Sequence, residues 1–137
     1  MTTPHKAECR GYQAHQIPFI WDRVKPHIQK ALNRGSNYTI KDIYEGLTNK
    51  TMQLWVWQGK PEIYGALVTT IQSKGDKTWC LFLVLGGTRM NEWIGLLPVI
   101  EDWARSQGCN EMRLYGRIGW AKVTGYDIEW TKMSKKL

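Results

Sequence analysis

Thr78-Trp79-Cys80-Leu81-Phe82-Leu83-Val84-Leu85, followed at once by Gly86-Gly87-Thr88, is the stretch that decides the architecture. The apolar run is too short to cross a membrane and ends in a glycine turn, so it reads as a buried strand. A segment of helical period follows. Trp93, Leu96, Leu97, Ile100, Trp103 and Ala104 fall on one side of it, Pro98 interrupts it and Gly108 closes it. Next come a short strand, Met112-Arg113-Leu114-Tyr115, and a last strand opened by Gly125-Tyr126 and running to Trp130. A helical crossover makes the strands on either side of it parallel. A buried strand, a glycine turn and a helix together form a natural cradle for a phosphate-bearing cofactor, because helix N-terminal amides bind anions.

The N-terminal half supplies helices and a meander. The polar residues 1–16 read as an extended arm or a first strand around Tyr12. Ile17, Ile20, Trp21, Val24, Ile28, Ala31 and Leu32 then recur at helical spacing, with Pro26 expected to kink or split the helix. Thr39-Ile40-Lys41-Asp42 has the form of a capping box and starts a second helix through Leu47. Met52–Trp57, the turn at Gly59-Lys60-Pro61-Glu62 and the run from Ile63 to Ser73 read as an antiparallel hairpin, and Lys74-Gly75-Asp76-Lys77 turns the chain into Thr78. The fold class is therefore α+β, a mixed and largely antiparallel sheet flanked by helices in a single domain spanning 1–137, with 133–137 as a basic tail.

Composition narrows the function without choosing it. The formal net charge is +7, and the first 60 residues hold nine Lys/Arg against four Asp/Glu. Such an excess favours acidic partners, among them a phosphate-bearing cofactor, nucleic acid or an acidic protein surface. No basic block exceeds Lys135-Lys136, and no nucleic-acid motif is present. Without a membrane-length apolar run or a signal-peptide core, the expected location is cytoplasmic. Cys9, Cys80 and Cys109 lack metal spacing and read as small hydrophobes, and His5, His15 and His27 are not spaced as ligands, so no metal site is expected.

Gly116-Arg117-Ile118-Gly119-Trp120, followed by Gly125-Tyr126, together with the element order, resembles the Gcn5-related N-acetyltransferase (GNAT) family over roughly residues 12–132. The tail pattern is similar to that of small GNAT-like proteins encoded by tailed phages. The resemblance implies acetyl-CoA as cofactor and an amine as acceptor. It puts the pantetheine arm on the backbone of Leu83, Val84 and Leu85, and the pyrophosphate near Gly86, Gly87, Thr88 and Arg89.

The chain departs from the family pattern in two places. The family's turn reads Gln/Arg-x-x-Gly-x-Gly/Ala; with Arg89 first, Glu92 and Ile94 occupy the small-residue positions. A carboxylate there repels phosphate, and a glycine pair that only turns a strand into a helix is the plainer reading of Gly86-Gly87. The family's acidic Tyr lies four residues before the Gly-aromatic pair, where this chain has Ala121, leaving Tyr115 or Tyr126 to protonate the departing thiolate. Glu62, Asp127 and Glu129 are the candidate bases.

Two functions follow as expectations. One is an atypical or degenerate acetyltransferase. The other is a non-catalytic GNAT-fold protein, a virion or host-interaction component using tryptophan-rich and basic surfaces. For the latter, Trp55 and Trp57 share one strand face and Leu54 and Val56 the other, so the indoles are either exposed or covered by helices on both sides of the sheet.

Overall fold

The computed structural model describes residues 7–34, 36–115, 127–129 and 132–137. Its strands are β1 (Glu8–Tyr12), β2 (Met52–Gln58), β3 (Ile63–Lys74), β4 (Lys77–Gly87), β5 (Glu111–Tyr115), β6 (Asp127–Glu129) and β7 (Lys132–Lys136). The helices are α1 (Ile17–Leu32), α2 (Ile40–Thr48) and α3 (Leu96–Ser106), with 3-10 segments at Ala14–Gln16 and Met90–Gly95. The strands form one sheet in the order β1-β2-β3-β4-β5-β7-β6, antiparallel except for the β4–β5 pair joined through α3.

Period-two alternation divides the core between the two sheet faces. Leu54, Val56, Val68 and Val84 face α1 and α2, whereas Trp55, Trp57, Leu67, Cys80 and Phe82 face α3. Each amphipathic helix supplies the matching stripe. Ile17, Ile20, Val24, Ile28 and Leu32 of α1 are buried on one face, Leu96, Leu97, Ile100 and Ala104 of α3 on the other. Burying one such aliphatic side chain is worth about 1.5–3 kcal/mol, so these stripes hold the helices on the sheet. Trp57 is thus fully covered and Trp55 is left only 5% exposed.

The capping box is present: Thr39 Oγ1 accepts from the Asp42 amide at 3.1 Å, and Asp42 Oδ2 accepts from the Thr39 amide at 2.9 Å. Gly108 follows α3 with φ of 84°, the left-handed position that glycine takes just past a helix end.

Four expectations change. The helix α1 is continuous through Pro26, whose position is exposed. Pro98 does not interrupt α3; it is the third residue of that helix, in the first turn, where a missing N–H costs nothing. Trp93 belongs to the preceding 3-10 segment. The segment read as a basic tail is β7, inserted between β5 and β6. Its Lys135 ammonium donates to Glu101 of α3 at 2.6 Å, an attachment that composition does not reveal. Among the described residues no helix is long and apolar enough to cross a membrane.

Candidate functional site

The strand β4 pairs with β3 from Lys77 to Gly87 but with β5 only from Trp79 to Phe82. At that same point its register with β3 slips: Val68 faces Val84 and Thr69 faces Phe82, leaving Leu83 as an extra residue. Such a bulge bends its strand and sharpens the local twist. The side chains record it, since Leu83 and Val84 both pack toward α1 and α2 before Leu85 turns to the α3 side. Among the described residues, the pairing with β5 ends at Phe82, and Leu83, Val84 and Leu85 have no strand partner on that side.

A recess of about 180 Å³ lies beside this free edge, walled by Leu83–Leu85 and by Ala31, Leu32, Arg34 and Ser36 at the end of α1. Tyr115 ends β5 one residue beyond Leu114, the last to pair with β4, and it is 56% exposed. It thus stands at the mouth of the gap on the β5 side. Only the packing of α1 on β4 brings Arg34 and Ser36 to this strand, a relation that the sequence does not show.

The glycine turn is less open than its composition suggests. A side chain at Gly86 would strike the His27 carbonyl and Ala31 of α1. One at Gly87, whose φ is 148°, would strike Tyr64 and Gly65 of β3. Both glycines are needed for close packing. The Thr88 amide donates to the Tyr64 carbonyl at 2.7 Å, and the Thr88 carbonyl accepts from Trp57 Nε1 at 2.8 Å. Thr88 is therefore tied into the sheet.

Arg89 takes a left-handed backbone (φ 50°) and caps the 3-10 segment. Its guanidinium lies 4.2 Å from the Tyr64 ring centroid and pairs with Glu92. Its pKa is raised further, first by the hydrogen bond to Glu92. Glu92 also accepts from the Ala7 amide at 3.2 Å. The carboxylate noticed as a misfit in the turn is thus the internal counter-ion of the cation expected to meet phosphate.

Of the acid–base candidates, Glu62 is exposed on the β2–β3 turn, two strands away from the gap. Asp127 and Glu129 lie on β6, described as backbone only. Tyr126, Ala121, Trp130 and the pattern from Gly116 to Trp120, with Gly125, lie outside the described residues.

No protein-family model matches the sequence, and no curated protein does. Solved structures do match. The chain is similar to aminoglycoside 6'-acetyltransferase type Ii, with TM-score 0.71 and 14% identity over 94% of this chain and 96% of that one. It is similar to a GNAT family acetyltransferase from Brucella melitensis in complex with acetyl-CoA, with TM-score 0.70 and 13% identity over 98% of this chain and 90% of that one. It is also similar to Tetrahymena GCN5, with TM-score 0.64 and 14% identity over 96% of each chain. At these identities the likeness is one of architecture: the chain has the GNAT acetyltransferase fold.

Proposed function

We propose that this chain binds acetyl-CoA and is an atypical GNAT-type N-acetyltransferase. The observation that carries the reading is the bulge at Leu83, set where β4 leaves β5. Among the described residues Leu83–Leu85 have no strand partner on that side, an edge on which an amide-bearing chain such as pantetheine forms backbone hydrogen bonds. The recess with Arg34 and Ser36 lies along the same edge.

In this reading the amine nitrogen of the acceptor attacks the thioester carbonyl. The C–N bond forms, the C–S bond breaks, and Tyr115 or Tyr126 gives a proton to the departing thiolate. A carboxylate, Glu129 or Asp127, takes the proton from the amine. Arg89 faces the pyrophosphate, and Gly86, Gly87 and Thr88 shape the turn that positions it. The acceptor is an amine, the group acetylated by the aminoglycoside acetyltransferases that share the fold.

Titration calorimetry with acetyl-CoA and CoA tests the first step. Saturable micromolar binding supports it, and no heat up to millimolar ligand overturns it. If binding is found, Tyr115→Phe separates the acids: unchanged binding with turnover lowered by about 100-fold assigns the proton to Tyr115.

A second reading has one observation in its favour. The Thr88 amide and the Arg89 charge are both engaged within the protein, as expected of a GNAT fold that has lost its cofactor and acts as a binding component, for instance in a virion or against a host protein. With Trp55 and Trp57 buried, its contact surface would be the basic one.

A further inference from the structure

At the opposite end of the sheet from the glycine turn there is a groove that the proposed acetyl transfer does not use. Here β1 stops at Tyr12, paired with Leu54, so Met52 and Gln53 of β2 extend past it. Gly11 has no side chain, and a Cβ there would lie 2.9 Å from Trp55 Cζ3. The Trp55 ring fills that place and meets Trp103 of α3 edge to face, with centroids 5.3 Å apart. The space left at the sheet edge has a volume of about 820 Å³, within the range of small-molecule sites.

Its chemistry has one sign. None of the residues lining it is acidic, while Lys50 and His15 both contribute to its wall. The Trp55 indole donates to Thr69 Oγ1 at 2.9 Å, and Thr69 Oγ1 donates to Gln53 Oε1 at 2.9 Å. This relay engages the Gln53 oxygen, and among the described residues its NH2 group has no partner, so the wall presents a donor. Both α2 and α3 end at this groove, and several carbonyls of their last turns are engaged. Thr48, Asn49 and Thr51 bond Tyr44, Glu45 and Gly46, and the amides of Gln107, Gly108 and Cys109 bond Trp103, Ala104 and Arg105. Lys50 and Gln53 line the groove together with Trp55 and Trp103.

We propose that this groove is a second binding site, for a small aromatic carboxylate. The ring lies against Trp55 and Trp103, and the carboxylate accepts from Gln53 and pairs with Lys50. Lys50 is exposed with a left-handed backbone (φ 71°), so it answers to the ligand without disturbing the core.

The test is an NMR titration of the full chain with 2-naphthoate and with its neutral analogue 2-naphthamide, following the indole N–H signals. Trp103→Phe identifies the Trp103 signal. The expected result is saturable shifts of the Trp55 and Trp103 signals, with the carboxylate bound about fivefold more tightly than the amide. Lys50→Asn, which the left-handed backbone accepts, is expected to remove most of that preference. Equal binding of the two probes, a preference that survives Lys50→Asn, or no saturable shift up to millimolar probe overturns the proposal. So does a shift pattern that spares both indoles.

Discussion

Glu92 forms an ion pair with Arg89, three residues earlier, and the two close the turn that follows β4. The Arg89 guanidinium is also stacked on Tyr64 of β3, and Glu92 reaches the Ala7 amide near β1. A cation placed to attract phosphate is thus already balanced from within. Any anion arriving at this turn competes with Glu92 for the same guanidinium.

Replacing Glu92 by Gln removes that competition while keeping a side-chain oxygen for Ala7. On the acetyl-CoA reading, Glu92→Gln is expected to tighten CoA binding by about fivefold, measured by calorimetry at low salt. Because screening weakens exposed charge interactions, the gain is expected to shrink as salt is added. Unchanged or weaker binding to the variant would show that Arg89 does not meet the phosphates.

Trp57 is fully buried, and its indole nitrogen donates to the Thr88 carbonyl. Trp57→Phe keeps most of the apolar volume but leaves that carbonyl without its donor. The expected destabilisation is about 1–3 kcal/mol, read from urea unfolding midpoints at constant slope. A loss confined to a few tenths would mean that water replaces the indole at the turn.

The Cys80 thiol is pushed up to about 12, mainly by burial. Burial also raises Cys9 and Cys109. Since the thiolate is the reactive form, Cys80 is expected to resist alkylation in the native protein and to react at once in denaturant. Cys9, only half-buried, is expected to react first. Mass spectrometry of timed iodoacetamide labelling gives the order, and early Cys80 modification would contradict the packing on the α3 face.

Asp42 has its pKa lowered from 3.8, first by the backbone hydrogen bond from Thr39. A depressed carboxyl contributes stability above its unfolded value, and the contribution is lost as pH falls through the folded value. The cap on α2 is therefore expected to hold at neutral pH and fail in acid, below about 4. Asp42→Asn is expected to flatten the acid limb of a melting-temperature profile. An identical acid limb in variant and parent would place the acid sensitivity elsewhere.

Much of the fold was legible because it is written in local periodicities. The alternation through Leu54, Trp55, Val56 and Trp57 placed each residue on its correct face, and the capping box and Gly108 marked two helix ends. Pro98 was misread because a proline in a first turn looks, in sequence, like one in a helix interior. The strand β7 was read as a tail because its lysines carry no apolar pattern; its place depends on β5 needing a partner and on Glu101 waiting on α3.

The sequence by itself determined the elements, their order and the two apolar faces, since each follows from side chains near one another along the chain. Tertiary structure decided the site, because every feature of it is a relation between distant segments. Which register β4 takes against β3, and hence that Leu83 is the extra residue, depends on their whole pairing. That Gly86 and Gly87 serve packing follows from α1 and β3 pressing against them. The groove at Trp55 and Trp103 exists because β1 ends where two helices also end, a coincidence in space with no trace in local pattern.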